Sequence, residues 1–306
     1  MKELITGTTA YAVFSGDVDG DRVSHAYMLH FQDAENMRAT LKIFALKFFG
    51  VREGDPVGNR ILNESFSDLR IFPEEGKKFT VEGASLLLAD SAMKPLEGDK
   101  KLFIISGFNE ASALVQNKLL KTLEEPYEGV YFLLGVTSLA PVLDTVKSRV
   151  KNLTIPPFSE EEIFSALERR GQNPLNRQAA ESCGGILGVA ESMVGGSWFK
   201  EVTEAAKEIC STRDISKVGE VSLKYGDIKY KTELLSAMAL NYHKALCDRV
   251  NTNGAEGFET PALIYAGKCV DKACRDLKFN AFFQGLLYDL MLRVIEENDK
   301  WLKLRG

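Results

Sequence analysis

The segment in which a nucleotide phosphate would bind lies just after the first apolar run of the chain, Ala26–Leu29. A helix that follows the first strand of a parallel sheet presents free N–H groups and the positive end of its dipole to an anion. A nucleotide site there needs glycines for close backbone approach, followed by Lys and Ser or Thr. Here Phe31 and Asn36 stand in the glycine positions, and Met37, followed by Arg38, replaces the lysine. The pattern predicts a lapsed phosphate loop.

Acidic residues argue against a nucleotide in the same way. Asp33 and Glu35 would repel a phosphate at this helix end. A magnesium–nucleotide site also needs an acidic pair after the third apolar run, Leu102–Ile105, yet Ser106 and Gly107 follow it. We therefore predict that the chain binds no ATP and needs no cofactor, and that any pocket left at this position is apolar and acidic.

Residues of metal-binding types are scattered rather than clustered. The acidic stretch Ser15–Asp21 is similar to half of a calcium loop, but Met28 occupies the position of the required Glu, so we predict a solvated turn. The histidines, His25, His30 and His243, are too few and too scattered for a catalytic or metal cluster, which favours structural roles. The five cysteines lack CxxC spacing, and none lies in the first 182 residues. Neither a disulfide framework nor a zinc site is predicted.

Composition and charge limit the function classes further. The chain has 306 residues, of which 45% are hydrophobic and 26% charged, as in ordinary globular proteins. The 38 Lys and Arg against 43 Asp and Glu give a net charge of −5, which disfavours a strong stand-alone duplex binder. The sequence shows no signal-peptide segment and no apolar stretch of membrane-spanning length, so a cytoplasmic location and no membrane partner are expected.

Short apolar runs alternate with helical periodicity over about the first 155 residues. Five runs are predicted to be strands: Ala26–Leu29, Asp68–Phe72, Leu102–Ile105, Tyr131–Leu134 and Asn152–Ile155. Strands that are apolar on both faces and separated by helices predict a parallel sheet covered on both sides, an α/β layer. The segment Gly50–Asn63 is rich in Gly, Asp and Asn and is predicted to be a loop.

A different pattern begins after Pro157. Ser159 and Glu162 form a capping-box sequence that predicts the start of a helix, and long helices are predicted from about Trp198 to the end. The apolar stripe from Phe279 to Val294 fits a core and an oligomer interface equally well. The predicted organisation is α/β plus all-α: an α/β domain over residues 1–157, a small helical domain over 158–197 and an all-helical C-terminal domain over 198–306.

Four segments occur in an order that resembles the bacterial DNA polymerase III clamp-loader subunits, AAA+ proteins of the delta-prime and gamma/tau type. The segments are Ser24–Leu29, Lys94–Ile105, Gln116–Pro126 and Thr145–Val150. The run Asn117–Pro126 is the most specific of them. The resemblance covers about residues 24–195 and favours the delta-prime branch. It implies an AAA+ type parallel-sheet domain that is degenerate, a lid domain and a C-terminal collar domain in the three predicted ranges.

The resemblance also implies roles for single residues. Ser148 and Arg149 match the family's Ser-Arg-Cys motif, with Val150 in place of Cys, and Arg149 would be an arginine finger for the ATP of a neighbouring subunit. Thr137 matches the position called sensor 1, and Val189 replaces the sensor-2 arginine. The implied contact surface with partner subunits comprises Ser148, Thr122, Glu124, Glu125, Pro126 and Thr137. The zinc-binding cysteines of many relatives are absent, so no metal is expected.

The resemblance implies an ATPase-inactive subunit without intrinsic catalysis, acting as a stator in DNA replication. Its implied partners are the gamma/tau and delta subunits, with the sliding clamp and primed DNA reached through the complex. Two alternatives stay open: an active or degenerate ATPase of the gamma/tau type, and a diverged clamp opener of the delta type. For Arg149 the alternative to the finger is an ordinary surface ion pair with Asp144 or a nearby Glu.

Overall fold

The computed structural model describes residues 1–252, 258–277, 279 and 281–305. The chain divides into two compact units, Met1–Glu191 and Ser192–Gly306. Each unit has a hydrophobic core of its own. The finer division of the first 197 residues into an α/β domain and a lid domain stays a prediction.

The first unit is built on a parallel sheet of five strands in the order β2-β3-β4-β1-β5. The strands are β1 (Ala26–Phe31), β2 (Leu69–Phe72), β3 (Lys101–Ile105), β4 (Val130–Val136) and β5 (Lys151–Ile155). The side chains of β1, β3 and β4 are nearly all buried, as expected when helices cover both faces of a parallel sheet. The five predicted strands and the predicted AAA+ type fold class are confirmed.

Ten helices begin in the first unit. They are α1 (Lys2–Thr6), α2 (Thr9–Asp19), α3 (Ala34–Phe48), α4 (Pro56–Leu62), α5 (Val81–Ser91), α6 (Ala113–Glu124), α7 (Asp144–Lys147), α8 (Glu160–Arg170), α9 (Asn176–Ser182) and α10 (Leu187–Gly195). Ser159 and Glu162 form both bonds of the predicted capping box at the start of α8. We call residues 158–191, which carry α8, α9 and the start of α10, the lid segment.

Two segments predicted to be irregular contain helices. The acidic stretch predicted as a turn is largely the last part of α2, which begins after its N-cap Thr8 and buries Phe14 against Tyr27 and Phe44. The predicted loop 50–63 contains α4. Gly58 allows this helix to approach the preceding turn, because a Cβ there would overlap a backbone carbonyl oxygen. In both segments, burial of an apolar face outweighs the polar composition.

Among its described residues, the second unit contains helices and no strands. Its helices are α11 (Ser197–Ser211), α12 (Ile215–Tyr225), α13 (Lys231–Thr252), α14 (Thr260–Leu277) and α15 (Phe283–Arg305). The apolar stripe is core from Phe283 onward, whereas Phe279 and Phe282 are 85% and 71% exposed. Within the described residues, no helix is both long and apolar enough to cross a bilayer.

Candidate functional site

The connection between β1 and α3 is too short to surround a phosphate. β1 continues through Phe31, and only Gln32 and Asp33 separate it from α3. Phe31 and Asn36, which stand in the glycine positions of the predicted lapsed phosphate loop, therefore lie in a strand and in a helix, and the lapse of the site stays a prediction. Phe31 is a buried strand residue whose ring packs edge-on against Phe158, and Asn36 lies in the first turn of α3. Asp33 is the N-cap of α3, so the helix begins at Ala34 and already includes Asn36.

Met37 and Arg38 are both used by the fold. Met37 is 2% exposed and packs on the backbone of β4, where a Cβ on Gly135 would lie 2.7 Å from the Met37 sulfur. Arg38 donates from Nε to Glu64 at 2.7 Å and from Nη1 to the carbonyl oxygen of Pro73 at 2.8 Å. The Arg38 bonds lower the pKa of Glu64 to about 2. Both side chains thus have structural partners that a phosphate would have to displace.

A cavity of about 240 Å³ lies at the carboxyl edge of the sheet. The structure brings five predicted site residues together around it: Met37, Arg38, Ser106, Gly107 and Thr137. Its remaining charged lining comprises the carboxylates of Glu35, Glu74, Glu75 and Glu110 and the ammonium groups of Lys77 and Lys78. The predicted pocket is present, but its lining has mixed charge, so the apolar and acidic description is wrong in part.

These residues do not fit a nucleotide phosphate chain. Asp33 places a buried carboxylate at the N-terminus of α3, where a phosphate would take the free N–H groups. Two like charges about 4 Å apart repel by about 4 kcal/mol at an effective dielectric constant of 20. After β3, Ser106 donates its N–H to the Phe72 carbonyl at 2.8 Å, and Gly107 adopts a left-handed φ of 71°. Neither residue supplies a carboxylate for magnesium.

Arg149 lies at the opposite, amino edge of the sheet, two residues before β5. Ser148 ends α7 as its C-cap, and Val150 is buried at the position of the motif's cysteine. Arg149 donates from Nε to Glu124 Oε2 at 3.0 Å and from Nη1 to the Thr145 carbonyl at 2.9 Å. The Arg149 side chain is 32% exposed, and Nη2 has no bonded partner among the described residues. One edge of the guanidinium is therefore available to an outside acceptor.

Gln116 holds the segment that leads to the Ser-Arg pair. It is 1% exposed, donates from Nε2 to the Pro141 carbonyl at 3.0 Å and accepts the Leu143 N–H at 2.9 Å. These bonds tie α6 to the entry of α7. Sequence reasoning missed this role and used Gln116 only as part of a motif. The available signal was an amide at a buried position of α6, beside Val115 and one turn before Leu119.

The other predicted contact residues divide between the two edges of the sheet. Thr122, Glu125 and Pro126 lie at the end of α6, where Glu125 is its exposed C-cap. Thr137 instead follows β4 and lines the cavity at the carboxyl edge. Val189, which replaces the sensor-2 arginine, lies in the first turn of α10 and is 37% exposed. Whether any of these residues contacts a partner subunit stays a prediction.

The described residues contain no cluster of side chains that could form a metal site. No group of three or more His, Cys, Asp or Glu residues there could hold a metal ion. His243 has a sulfur neighbour, Cys247 Sγ at 3.6 Å from Nε2, but that pair stands without a third ligand in the described chain. The absence of zinc from the purified protein remains a prediction.

The fold and the two edges of its sheet define the class of protein, an AAA+ type unit joined to an all-helical unit. A family model described as "DNA polymerase III, delta subunit" matches residues 7–159, which is half of the chain. The chain belongs to this family, and the predicted resemblance to clamp-loader subunits is confirmed.

Individual relatives are similar over part of their length. DNA polymerase III subunit delta' of Bacillus subtilis is 28% identical over 163 residues, or 51% of this chain and 50% of that protein. A gamma subunit of Buchnera aphidicola is 30% identical over 102 residues, which are 32% of this chain and 28% of the relative. The chain thus spans about half the length, or less, of these curated relatives. A solved structure of a gamma-subunit-related protein from Thermotoga maritima aligns over 96% of this chain and 97% of its own, with 15% identity and a TM-score of 0.44.

Proposed function

We propose that this chain is an ATPase-inactive, delta-prime-like subunit of a DNA polymerase III clamp loader that supplies Arg149 to the ATP of a neighbouring subunit. The position of Arg149 carries the proposal. It precedes β5 at the amino edge of the sheet, whereas the cavity lies at the carboxyl edge. The five residues of β5 alone span about 16 Å. This separation supports a role for Arg149 at a nucleotide on another subunit rather than at one in its own cavity.

The chemistry of the side chain supports this role. A guanidinium keeps its charge at every physiological pH and offers several N–H donors in one plane. Such a group stabilises the charge that develops on a γ-phosphoryl group in the transition state. In Arg149 the Nε edge is bonded to Glu124, whereas Nη2 has no bonded partner among the described residues and could take a partner's phosphate.

The lack of fit for a phosphate supports an inactive, stator-like subunit. The two-residue connection before α3, the buried Asp33 and the engaged Arg38 each oppose nucleotide binding. A subunit that binds no nucleotide would keep one shape while its neighbours bind and hydrolyse ATP. Its place in the assembly would then be structural, with Arg149 as its single contribution to catalysis.

The partners of this proposal are those that the resemblance implies, and the relatives' names include the delta' and gamma subunits of DNA polymerase III. We expect complexes with gamma/tau and delta subunits, and contact with the sliding clamp and primed DNA through the assembled complex. Residues 1–157 would form the degenerate AAA+ domain, 158–197 the lid domain and 198–306 the collar. A collar role would also give the exposed Phe279 and Phe282 a surface to pack on.

A working ATPase of the gamma type is the second candidate, favoured by the 30% identity to a gamma subunit. Isothermal calorimetry of the isolated chain with Mg-ATP separates the two, because the gamma-type reading requires saturable binding. A pull-down with gamma/tau and delta subunits tests the assembly itself. Capture of both partners without ATP binding supports the proposal, whereas tight binding of the isolated chain to the sliding clamp favours a delta-type opener.

A further inference from the structure

The carboxylate of Asp33 lies between the first turns of two helices. It is 1% exposed. Oδ1 accepts the Asn36 N–H at 3.1 Å, which makes Asp33 the N-cap of α3. Oδ2 accepts the Gly188 N–H, in the first turn of α10, at 2.8 Å. A single side chain therefore caps α3, which follows β1, and a helix of the lid segment.

A polar network extends this link to a third helix. Asn36 donates from Nδ2 to Asp33 Oδ2 at 2.9 Å and reaches Glu191 Oε2 at 3.4 Å. Glu191 in turn pairs with Arg170, at the end of α8, at 2.8 Å. The Glu191 side chain is 20% exposed, and burial raises the pKa of its carboxyl. The network joins α3, α8 and α10.

The close approach of the helices depends on Gly188. A Cβ at this position would overlap Asp33 Oδ1 and would lie 2.9 Å from Glu35 Cβ and 3.2 Å from Asn36 Nδ2. Any larger residue would thus push α10 away from the carboxylate. The sequence combines the one residue type without a side chain with a buried acid 155 positions earlier.

We infer that Asp33 is a built-in anionic ligand of the lapsed phosphate site and that it holds the lid segment against α3 without a nucleotide. Helix N-termini are general binding sites for phosphate and carboxylate, because their N–H groups and dipoles face the anion. Here the chain's own carboxylate takes N–H groups from two such termini at once. The position of the lid segment therefore does not depend on nucleotide occupancy. This inference goes beyond the proposed function, since it concerns the isolated chain and does not involve Arg149.

Hydrogen exchange followed by mass spectrometry on the full chain tests the inference. Asp33→Ala should speed the exchange of amides 186–191 at least about tenfold, because hydrogen bonds to a charged acceptor are lost. Asp33→Asn, which keeps an acceptor oxygen without the charge, should cause a smaller increase. The matched control is Thr80→Ala, since Thr80 caps only α5 by accepting the Gly83 N–H and should leave the lid amides unchanged. Saturating Mg-ATP should leave the wild-type exchange unchanged.

Gly188→Ala disrupts the same contact from the lid segment and should speed the exchange of the same amides. If Asp33→Ala does not fold, Gly188→Ala and Asp33→Asn together test the inference. Wild-type exchange rates at 186–191 in these variants would overturn the inference. So would equal acceleration by Thr80→Ala, because the effect would then be general destabilisation. Protection of the wild-type lid amides by Mg-ATP would also overturn it, because a nucleotide would then hold the lid.

Discussion

Arg149 and Glu124 form an ion pair, with 3.0 Å between Nε and Oε2, that links the start of β5 to the end of α6. A carboxylate at the last residue of a helix interacts unfavourably with the helix dipole. The ion pair with Arg149 offsets this effect and explains why an acid occupies position 124. Asp144, the other partner considered for Arg149, pairs with Lys147 instead at 3.1 Å. A partly exposed pair contributes at most about 1 kcal/mol to stability, so its main effect is to orient the guanidinium.

Replacing Arg149 with Ala should lower the ATPase rate of the reconstituted clamp loader while leaving the chain folded. An arginine finger raises the rate of hydrolysis at a single site by a factor of about 10³ to 10⁵. The loss for the whole complex should be smaller, because only one site faces this subunit. Arg149→Lys should recover little, since an ammonium lacks the planar fork. Steady-state hydrolysis with clamp and primed DNA measures the effect. If the complex with Arg149→Ala assembles normally and hydrolyses ATP at the wild-type rate, then Arg149 is only a surface cation.

Replacing Glu124 with Ala should reduce the same rate by less than Arg149→Ala does, because the guanidinium stays but is no longer held at Nε. Glu124→Gln keeps an acceptor oxygen and should retain most of the rate. Glu128→Ala is the matched control, an exposed acid outside the predicted contact surface. Combining Glu124→Ala with Arg149→Ala should add nothing to Arg149→Ala alone. An increased rate in Glu124→Ala would mean that the pair restrains Arg149 rather than orienting it.

Replacing Met37 with Lys should not create ATP binding and should destabilise the first unit. The side chain is 2% exposed and packs against β4, so an ammonium group there would lose its hydration at a cost of about 2–4 kcal/mol. Urea unfolding followed by circular dichroism gives the stability, and calorimetry gives the ATP affinity. Ala34→Lys, at an exposed position of the same helix, should cost little. Micromolar ATP affinity in Met37→Lys would show that only the lysine was missing.

Replacing Gln116 with Leu should cost about 1–3 kcal/mol, because the Leu143 N–H and the Pro141 carbonyl lose a buried partner. The ATPase rate of the complex should fall as well, since the segment before Arg149 is no longer tied to α6. Asn117→Leu, at the exposed neighbouring position, is the control for both measurements. Unchanged stability in Gln116→Leu would show that water replaces the amide at no cost.

Glu64 should make stability fall in acid. Its pKa is held at about 2 by Arg38 and Lys42, below the ordinary value of 4.5. A lowered folded-state pKa stabilises the protein above the unfolded value, and that contribution is lost as pH falls from about 5 towards 2. Its size is at most roughly 3 kcal/mol. Urea unfolding should find Glu64→Gln less stable than wild type at pH 7, with a difference that shrinks below pH 4.5. A constant difference would assign the effect to packing.

The sequence by itself determined the fold class of the first unit. Buried strands such as Leu102–Ile105 are apolar on both faces, and this follows directly from a sheet covered on both sides. Local chemistry likewise fixed the capping box of Ser159 and Glu162, because its two bonds join residues three apart. The ordered motifs around Asn117–Pro126 and Arg149 led to the family without any geometry.

Only the tertiary structure decided what replaced the phosphate loop. The sequence could show that glycines and lysine were missing, but not that β1 extends through Phe31 and that Met37 faces the sheet, because strand register depends on pairing with β4 and β5. Likewise, Asp33 was seen as an acid that repels phosphate, while its bond to Gly188 joins residues 155 positions apart. Contacts between distant segments depend on how the whole chain packs, so a local sequence pattern does not predict them.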